Sequence, residues 1–303
     1  MRIRIGVSSC LLGNEVRYDG GHKEDRYLTG TLGRHFEWVP VCPELEAGLG
    51  VPREAMRLEG GGGAPRLVTL RTRIDHTRTL ETFARRRVRE LAALELDGFI
   101  FKQDSPSCGV RARRGTGLFA RAFIERFPLM PVEEEGRLAD PIRRQNFIER
   151  VSCHWRWRGL ARAGLTRGRL VAFHAAHKLV LLAHSPEHYQ ELGRLVAGAA
   201  ALRLPALAAR YGALFARALG VASTRRKHTN VLMHMAGDFK TRLAKDEKAE
   251  LAGAIEDYRR GLVPLAVPIT LVRHHVRKLG VAYLEEQVYL NPHPAELILG
   301  SSR

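Results

Sequence analysis

Arg2-Ile-Arg-Ile-Gly-Val7 runs directly into Ser8-Ser-Cys-Leu-Leu-Gly13, and that junction decides how the first half of the chain reads. The first six residues alternate with period two, the mark of a strand, and a loop containing Ser, Gly and a cysteine stops it. Two further short apolar runs, residues 38–41 and 98–101, end in the same manner. The first opens into Cys42-Pro-Glu44 and the second into Lys102-Gln-Asp-Ser-Pro-Ser-Cys-Gly109. Between them, residues 79–96 place Leu80, Phe83, Ala84, Val88, Leu91 and Leu94 near helical spacing, with Arg85, Arg86, Arg87 and Arg89 on the other faces. Strand, helix and strand in that order predict an α/β domain, Rossmann-like with a mostly parallel sheet, over residues 1–155.

The remainder, residues 156–303, reads as an all-α domain. Helical periodicity runs over 170–183, 189–198, 206–219, 231–243, 248–260 and 267–279, punctuated by Pro186, Pro205, Gly220, Pro264 and Gly280. The junction is expected between residues 150 and 169, where Arg and Gly are frequent. The Gly run at 60–63 reads as a flexible loop and lacks the Lys-Ser/Thr ending of a phosphate-binding P-loop.

No run of about 18 apolar residues occurs, so no membrane span is expected. The start, MRIRIGVSSCLLG, is too short and too polar in its apolar stretch for a signal peptide. A cytoplasmic protein with no obligate protein partner is therefore the expectation. The net charge is +17, from 49 Lys+Arg against 32 Asp+Glu. It is uneven: residues 1–150 hold 26 basic and 21 acidic residues, leaving 23 and 11 for residues 151–303, or +5 against +12. An Arg-rich composition alone would not concentrate the excess in one half, so a polyanionic partner, most simply nucleic acid, is expected there.

Four cysteines in 303 residues are no disulfide framework. Cys10, Cys42 and Cys108 each follow an expected strand, and open parallel sheets collect ligands beyond the carboxyl ends of their strands. Three thiols delivered to one edge predict one metal centre. Buried structural thiols would sit within strands among apolar neighbours instead. Structural zinc usually takes four ligands in paired C-x₂₋₄-C knuckles, and none is present. Three thiolates on an iron–sulfur cluster leave one iron without a protein ligand, free to act as a Lewis acid. Cys153, in Val-Ser-Cys-His-Trp, follows no strand and reads as a structural thiol. Glu44 is placed to move protons. Ser9, Lys102, Ser105 and Ser107 are candidate substrate contacts, and Asp104 faces either substrate or solvent.

These motifs resemble a known family. SSCLLG with VRYDGGHK, then VCPE, then KQDSPSCG are similar to the thiouracil desulfidases (TudS), and the whole chain resembles the longer tRNA 4-thiouridine desulfidases (RudS). The second half is similar to the YbgA family through FHAAHKLVLLAHSPEHY, KHTNVLMHMAGDFK and YLNPHPAEL. The resemblance implies a 4Fe-4S cluster on Cys10, Cys42 and Cys108, with Glu44 and Ser105 catalytic. It implies hydrolytic removal of sulfur from 4-thiouridine in tRNA without net redox change. Free thiouracil as substrate, or a non-catalytic RNA-binding protein with a structural cluster, are the alternatives.

In the helical half, His174 with His177 and His184 with His188 have spacings that would share a helix face, but no metalloprotease-like HExxH accompanies them. Arg225, Arg226, Lys227, His228 and Lys240, with His234 and Arg242 nearby, form a basic cluster expected to contact RNA phosphates. Trp155, Trp157 and Tyr189 read either as base-stacking platforms or as packing residues.

Overall fold

The computed structural model describes residues 2–60, 65–111 and 115–292. Gly61–Gly63 of the glycine run, and the end of YLNPHPAEL from His293, lie outside the described residues. The chain forms two compact units that divide between Trp155 and Arg156.

The first unit begins with β1 (Ile3–Ser8), followed by β2 (Phe36–Val41), the single-turn α1 (Pro43–Glu46), β3 (Met56–Glu59) and β4 (Arg66–Thr69). Then come α2 (Thr77–Ala93), β5 (Gly98–Phe101), α3 (Leu118–Arg126), β6 (Val132–Glu134) and α4 (Pro141–Arg162), whose residues from Arg156 onward belong to the second unit. β2, β1, β5 and β6 lie side by side in that order, all parallel, with Ser8 opposite Val41 and Val7 opposite Ile100. The chain winds outward from β1 to β2 and then in the other direction through β5 to β6. The reversal falls between β1 and β5, the switch point where open α/β sheets bind ligands. β3 and β4 pair as an antiparallel hairpin apart from this sheet.

Side-chain alternation sorts the core into two layers. Phe99 and Phe101 of β5 stack at 4.2 Å and meet Phe119 and Phe123 of α3, together with Leu80, Phe83, Val88 and Leu91 of α2. Ile100, Ile5 and Val7 face the opposite way, toward Phe147, Ile148 and Val151 of α4. Helices thus cover both faces, which explains why β5 is an unbroken apolar run rather than an alternating one. Burying each such phenylalanine contributes about 2–3 kcal/mol. Glycine admits the close approaches: a Cβ at Gly6 would stand 2.2 Å from the Phe99 ring.

The second unit comprises α5 (Arg167–Ala176), α6 (Lys178–His184), α7 (Pro186–Ala197), α8 (Leu204–Gly220), α9 (Arg225–Asp238), α10 (Lys245–Arg260), α11 (Ala266–Leu279) and α12 (Ala282–Glu285). The expected helix over 170–183 is two helices, because the chain breaks at His177, whose ring stacks on Phe173 at 3.9 Å. Ser185 and Thr224 cap α7 and α9 by accepting from the third residue onward, His188 N and Lys227 N. Across the expected Arg- and Gly-rich junction, residues 141–162 form one helix and residues 163–166 lead into α5. Trp157 of α4 packs against Tyr211 and Phe173 at 5.1 and 5.4 Å, so this ring is a packing residue. Among the described residues no helix is long and apolar enough to cross a membrane.

Candidate functional site

Ser8 ends β1, Val41 ends β2 and Phe101 ends β5, and the loops leaving those three ends enclose a cavity of about 370 Å³. Cys10, Cys42 and Cys108 all line it, as do Ser9, Glu44, Lys102, Asp104 and Ser105. Ser107 does not; it is fully buried behind the wall. The sheet thus brings Cys10 and Cys108, 98 positions apart, to one cavity.

Local structure holds each cysteine in place. Cys42 caps α1, and its backbone N–H donates to Glu46 Oε1 at 2.8 Å, while Pro43 fits the first helical position. The Cys108 loop hangs on α3: Leu118 N donates to Pro106 O, and Phe119 N and Ala120 N donate to Ser107 O, at 3.0–3.3 Å. These are first-turn donors with no partner inside their own helix. From the other side, buried Glu134 Oε1 accepts from Val110 N and Arg111 N at 2.8 and 3.2 Å. Ser8 Oγ accepts from Lys102 N at 2.9 Å, tying the β1 loop to the β5 loop.

Burial pushes the Cys10 thiol up to about 11, and the nearby Cys42 adds to this, while the Lys102 and Arg17 charges act against it. Burial likewise raises Cys42, and it raises Cys108 well above the ordinary thiol value despite a hydrogen bond with Ser8. The three are therefore protonated thiols at neutral pH in the absence of a metal, and any metal that binds must displace their protons. Among the described residues no three His, Cys, Asp or Glu side chains are arranged to hold a single metal ion. Three soft sulfur donors spread around one cavity, without convergence on a point, suit a polynuclear iron–sulfur group better than one tetrahedral ion.

The polar side chains have specific partners. Glu44 is bound through Oε2 by Arg53, whose Nε donates at 2.8 Å and whose Nη2 donates as well, and through Oε1 by the Ser107 hydroxyl at 2.6 Å. Ser105 Oγ accepts from Ser107 N and Cys108 N at 3.2 and 3.1 Å, which leaves its own proton available to donate into the cavity it lines. Lys102 Nζ pairs with Glu135 Oε1 at 2.7 Å. Ser9 Oγ accepts from Asn14 Nδ2 at 2.8 Å. Sequence patterns did not reveal Arg53 or Glu135, since neither stands in a chemically diagnostic spacing; the rim residues Arg17 and Tyr18 stand in the VRYDGGHK motif, which by itself assigns them no role.

In the second unit the expected basic cluster comes apart. His228 is buried, with Nδ1 2.8 Å from the Tyr289 hydroxyl, and Lys227 Nζ donates to His184 O and Ala222 O at 2.6 and 3.1 Å. Packing of α9 buries His228 and leaves Lys227 half-buried with its ammonium held by two carbonyl oxygens. Arg225 lies over the Tyr258 ring but is exposed, as are Arg226 and Lys240. His184 and His188 stand on different helices, and His184 Nδ1 is 2.7 Å from Val221 O; they form no shared face. Cys153 is buried in α4, away from the cavity-lining loops.

Both halves of the chain have known relatives. Residues 5–135 match the family described as 2-thiouracil desulfurase, and residues 178–294 match a family described as a protein of unknown function (DUF1722). The chain is 36% identical over 140 residues to the uncharacterized protein YbgA of Escherichia coli (strain K12), spanning 46% of this chain and 83% of YbgA. It is 32% identical over 111 residues to the uncharacterized protein YbbK of Bacillus subtilis (strain 168), spanning 35% of this chain and 72% of YbbK. A solved structure of a [4Fe-4S]-dependent thiouracil desulfidase, TudS, is similar at 29% identity with a TM-score of 0.38, over 45% of this chain and 93% of that one. The three-cysteine α/β unit and the matches to both halves lead to one conclusion: the chain belongs to the thiouracil desulfidase (TudS) family, fused to a YbgA-like domain.

Proposed function

We propose that this protein is a desulfidase that hydrolyses the carbon–sulfur bond of 4-thiouridine in tRNA, giving uridine and sulfide. The observation that carries the reading is the shared cavity of Cys10, Cys42, Cys108 and Glu44 at the switch point of the sheet. Cys10, Cys42 and Cys108 would hold a 4Fe-4S cluster, which supplies a Lewis-acidic iron without a protein ligand.

The reaction is balanced by water alone: a thiocarbonyl and water become a carbonyl and hydrogen sulfide, with no net oxidation. Glu44 lines the cavity and takes the proton of the attacking water. Ser105, whose oxygen is already held by two backbone N–H groups, donates its hydroxyl proton to the substrate. Lys102 and Ser9 form the polar wall beside Cys10, with Lys102 held by Glu135.

The charge of the second half supports tRNA over free thiouracil, since residues 151–303 carry +12 of the +17. Arg225, Arg226 and Lys240 remain available for phosphate contacts. A tRNA base must leave its stack to enter a cavity of this size, as in base flipping.

The test is anaerobic purification, then incubation with thiolated tRNA and separately with free thiouracil, following loss of thiocarbonyl absorbance. Turnover of the tRNA with weak turnover of the free base is expected, with tRNA affinity falling steeply as salt rises. Turnover of the free base alone would replace tRNA as the substrate, and turnover of neither would leave an RNA-binding protein. Replacing Cys10, Cys42 or Cys108 with Ala is expected to abolish bound iron and activity together. Full activity in any of the three variants would sink the proposal.

A further inference from the structure

We infer that Arg53 is the positioning residue of this site, fixing the Glu44 carboxylate in one orientation and holding the cavity rim to it. The inference rests on Glu44 acting as proposed above. The Arg53 and Glu44 side chains retain only 8% and 12% of their exposure, so their contact is shielded from water. Nε and Nη2 both reach Oε2, and Nη1 donates to Val16 O and Gly50 O at 3.1 and 2.9 Å. The Arg53 backbone N–H donates to Tyr18 O at 2.8 Å. One residue therefore ties three segments together: the turn at Gly50, the Val16–Tyr18 rim and the helix that carries Glu44.

The consequence for Glu44 follows from counting acceptors. A carboxylate has about four lone-pair sites. Two on Oε2 go to Arg53 and one on Oε1 goes to the Ser107 hydroxyl. A single acceptor site on Oε1 is left for water or substrate. Arg53 and Ser107 thus select which oxygen of Glu44 does chemistry, and from which direction. A planar guanidinium donating two N–H bonds to one oxygen achieves this orientation, and the point charge of a lysine does not reproduce it. The same guanidinium holds Val16 O, whose neighbours Arg17 and Tyr18 line the cavity. Losing it disturbs the base of the rim and the reacting carboxylate together.

The experiment compares the full-length, cluster-loaded protein with Arg53→Gln, Arg53→Lys, Glu44→Gln and the double variant Arg53→Gln/Glu44→Gln. Misplacing a reacting group by about 1 Å costs on the order of 100-fold in rate. Arg53→Gln is therefore expected to lower kcat by about that factor, with KM changed much less and iron per chain unchanged. Arg53→Lys is expected to recover part of the loss. In the Glu44→Gln background, Arg53→Gln should cost little more, because the group it positions has already gone. Melting temperatures of the parent, Arg53→Gln, Glu44→Gln and the double variant without cluster provide a readout independent of turnover, and the two single losses should exceed that of the double variant when summed. An unchanged kcat in Arg53→Gln with full iron, or strict additivity in both cycles, would overturn the inference. If the parent protein turns over no thiolated substrate, the functional reading fails, while the melting cycle alone still decides whether Arg53 holds Glu44.

Discussion

Gly117 lies beneath the Cys108 loop, and replacing it with alanine tests whether that loop is held by helix α3. A Cβ at this position would stand 2.5 Å from the carbonyl carbon and oxygen of Ser107 and 2.9 Å from Cys108 N. Those are backbone atoms, so no side-chain rotation relieves the clash. Either α3 or the loop must move, and overpacking of this kind costs about 1–3 kcal/mol. Movement of the loop also stretches the bonds from Phe119 N and Ala120 N to Ser107 O, at 3.0 and 3.2 Å, each contributing about 1 kcal/mol. The sum is about 3–5 kcal/mol. For a unit of this size it lowers the melting temperature by roughly 6–20 °C. Thermal unfolding followed by circular dichroism measures the first effect. Iron per chain after anaerobic reconstitution measures the second, because on the proposed ligation a displaced Cys108 would leave the cluster one ligand short. A Gly117→Ala protein that melts within about 1 °C of its parent and binds a full complement of iron would refute the reasoning.

Other expectations follow from single contacts. Glu134→Ala removes the acceptor for Val110 N and Arg111 N and should destabilise the first unit by about 2–3 kcal/mol in urea unfolding, with weaker iron retention. A change below about 0.5 kcal/mol would show that solvent replaces this support. Burial in the second unit pushes His177 down to about 4, with Nδ1 on Phe173 O at 2.8 Å. The unfolded chain takes up this proton near pH 6.5 and the folded one only near 4, so stability is full above about 6.5 and falls as pH drops toward 4. The loss is on the order of 3 kcal/mol, and urea unfolding at pH 7 and pH 5 should show a smaller difference in His177→Gln than in the parent.

The three strand ends with their cysteines were legible in the sequence because both signals are local. Short apolar runs, alternating in β1 and unbroken in β5, make strands, and Ser, Pro and Gly beside a cysteine stop them. The parallel sheet followed from the intervening helix, and the family followed from the same loops. β6 and the β3–β4 hairpin were not legible, since their three or four residues each include charged side chains, form no unbroken apolar run like that of β5, and exist through pairing. Nor was the break at His177, where apolar spacing continues from α5 into α6 while the backbone turns.

For the functional residues the division is sharper. The sequence by itself determined which side chains reach the carboxyl edge of the sheet, because a strand delivers whatever follows it to that edge. Only the tertiary structure decided what those side chains do there. It put Ser105 on the cavity and Ser107 behind Glu44, two residues apart, because the loop between them turns over the first turn of α3. It supplied Arg53 as the partner of Glu44, from a position with no diagnostic spacing. In the second unit it split one basic run, because the packing of α9 ties Lys227 and His228 to neighbouring groups and leaves Arg225 and Arg226 exposed.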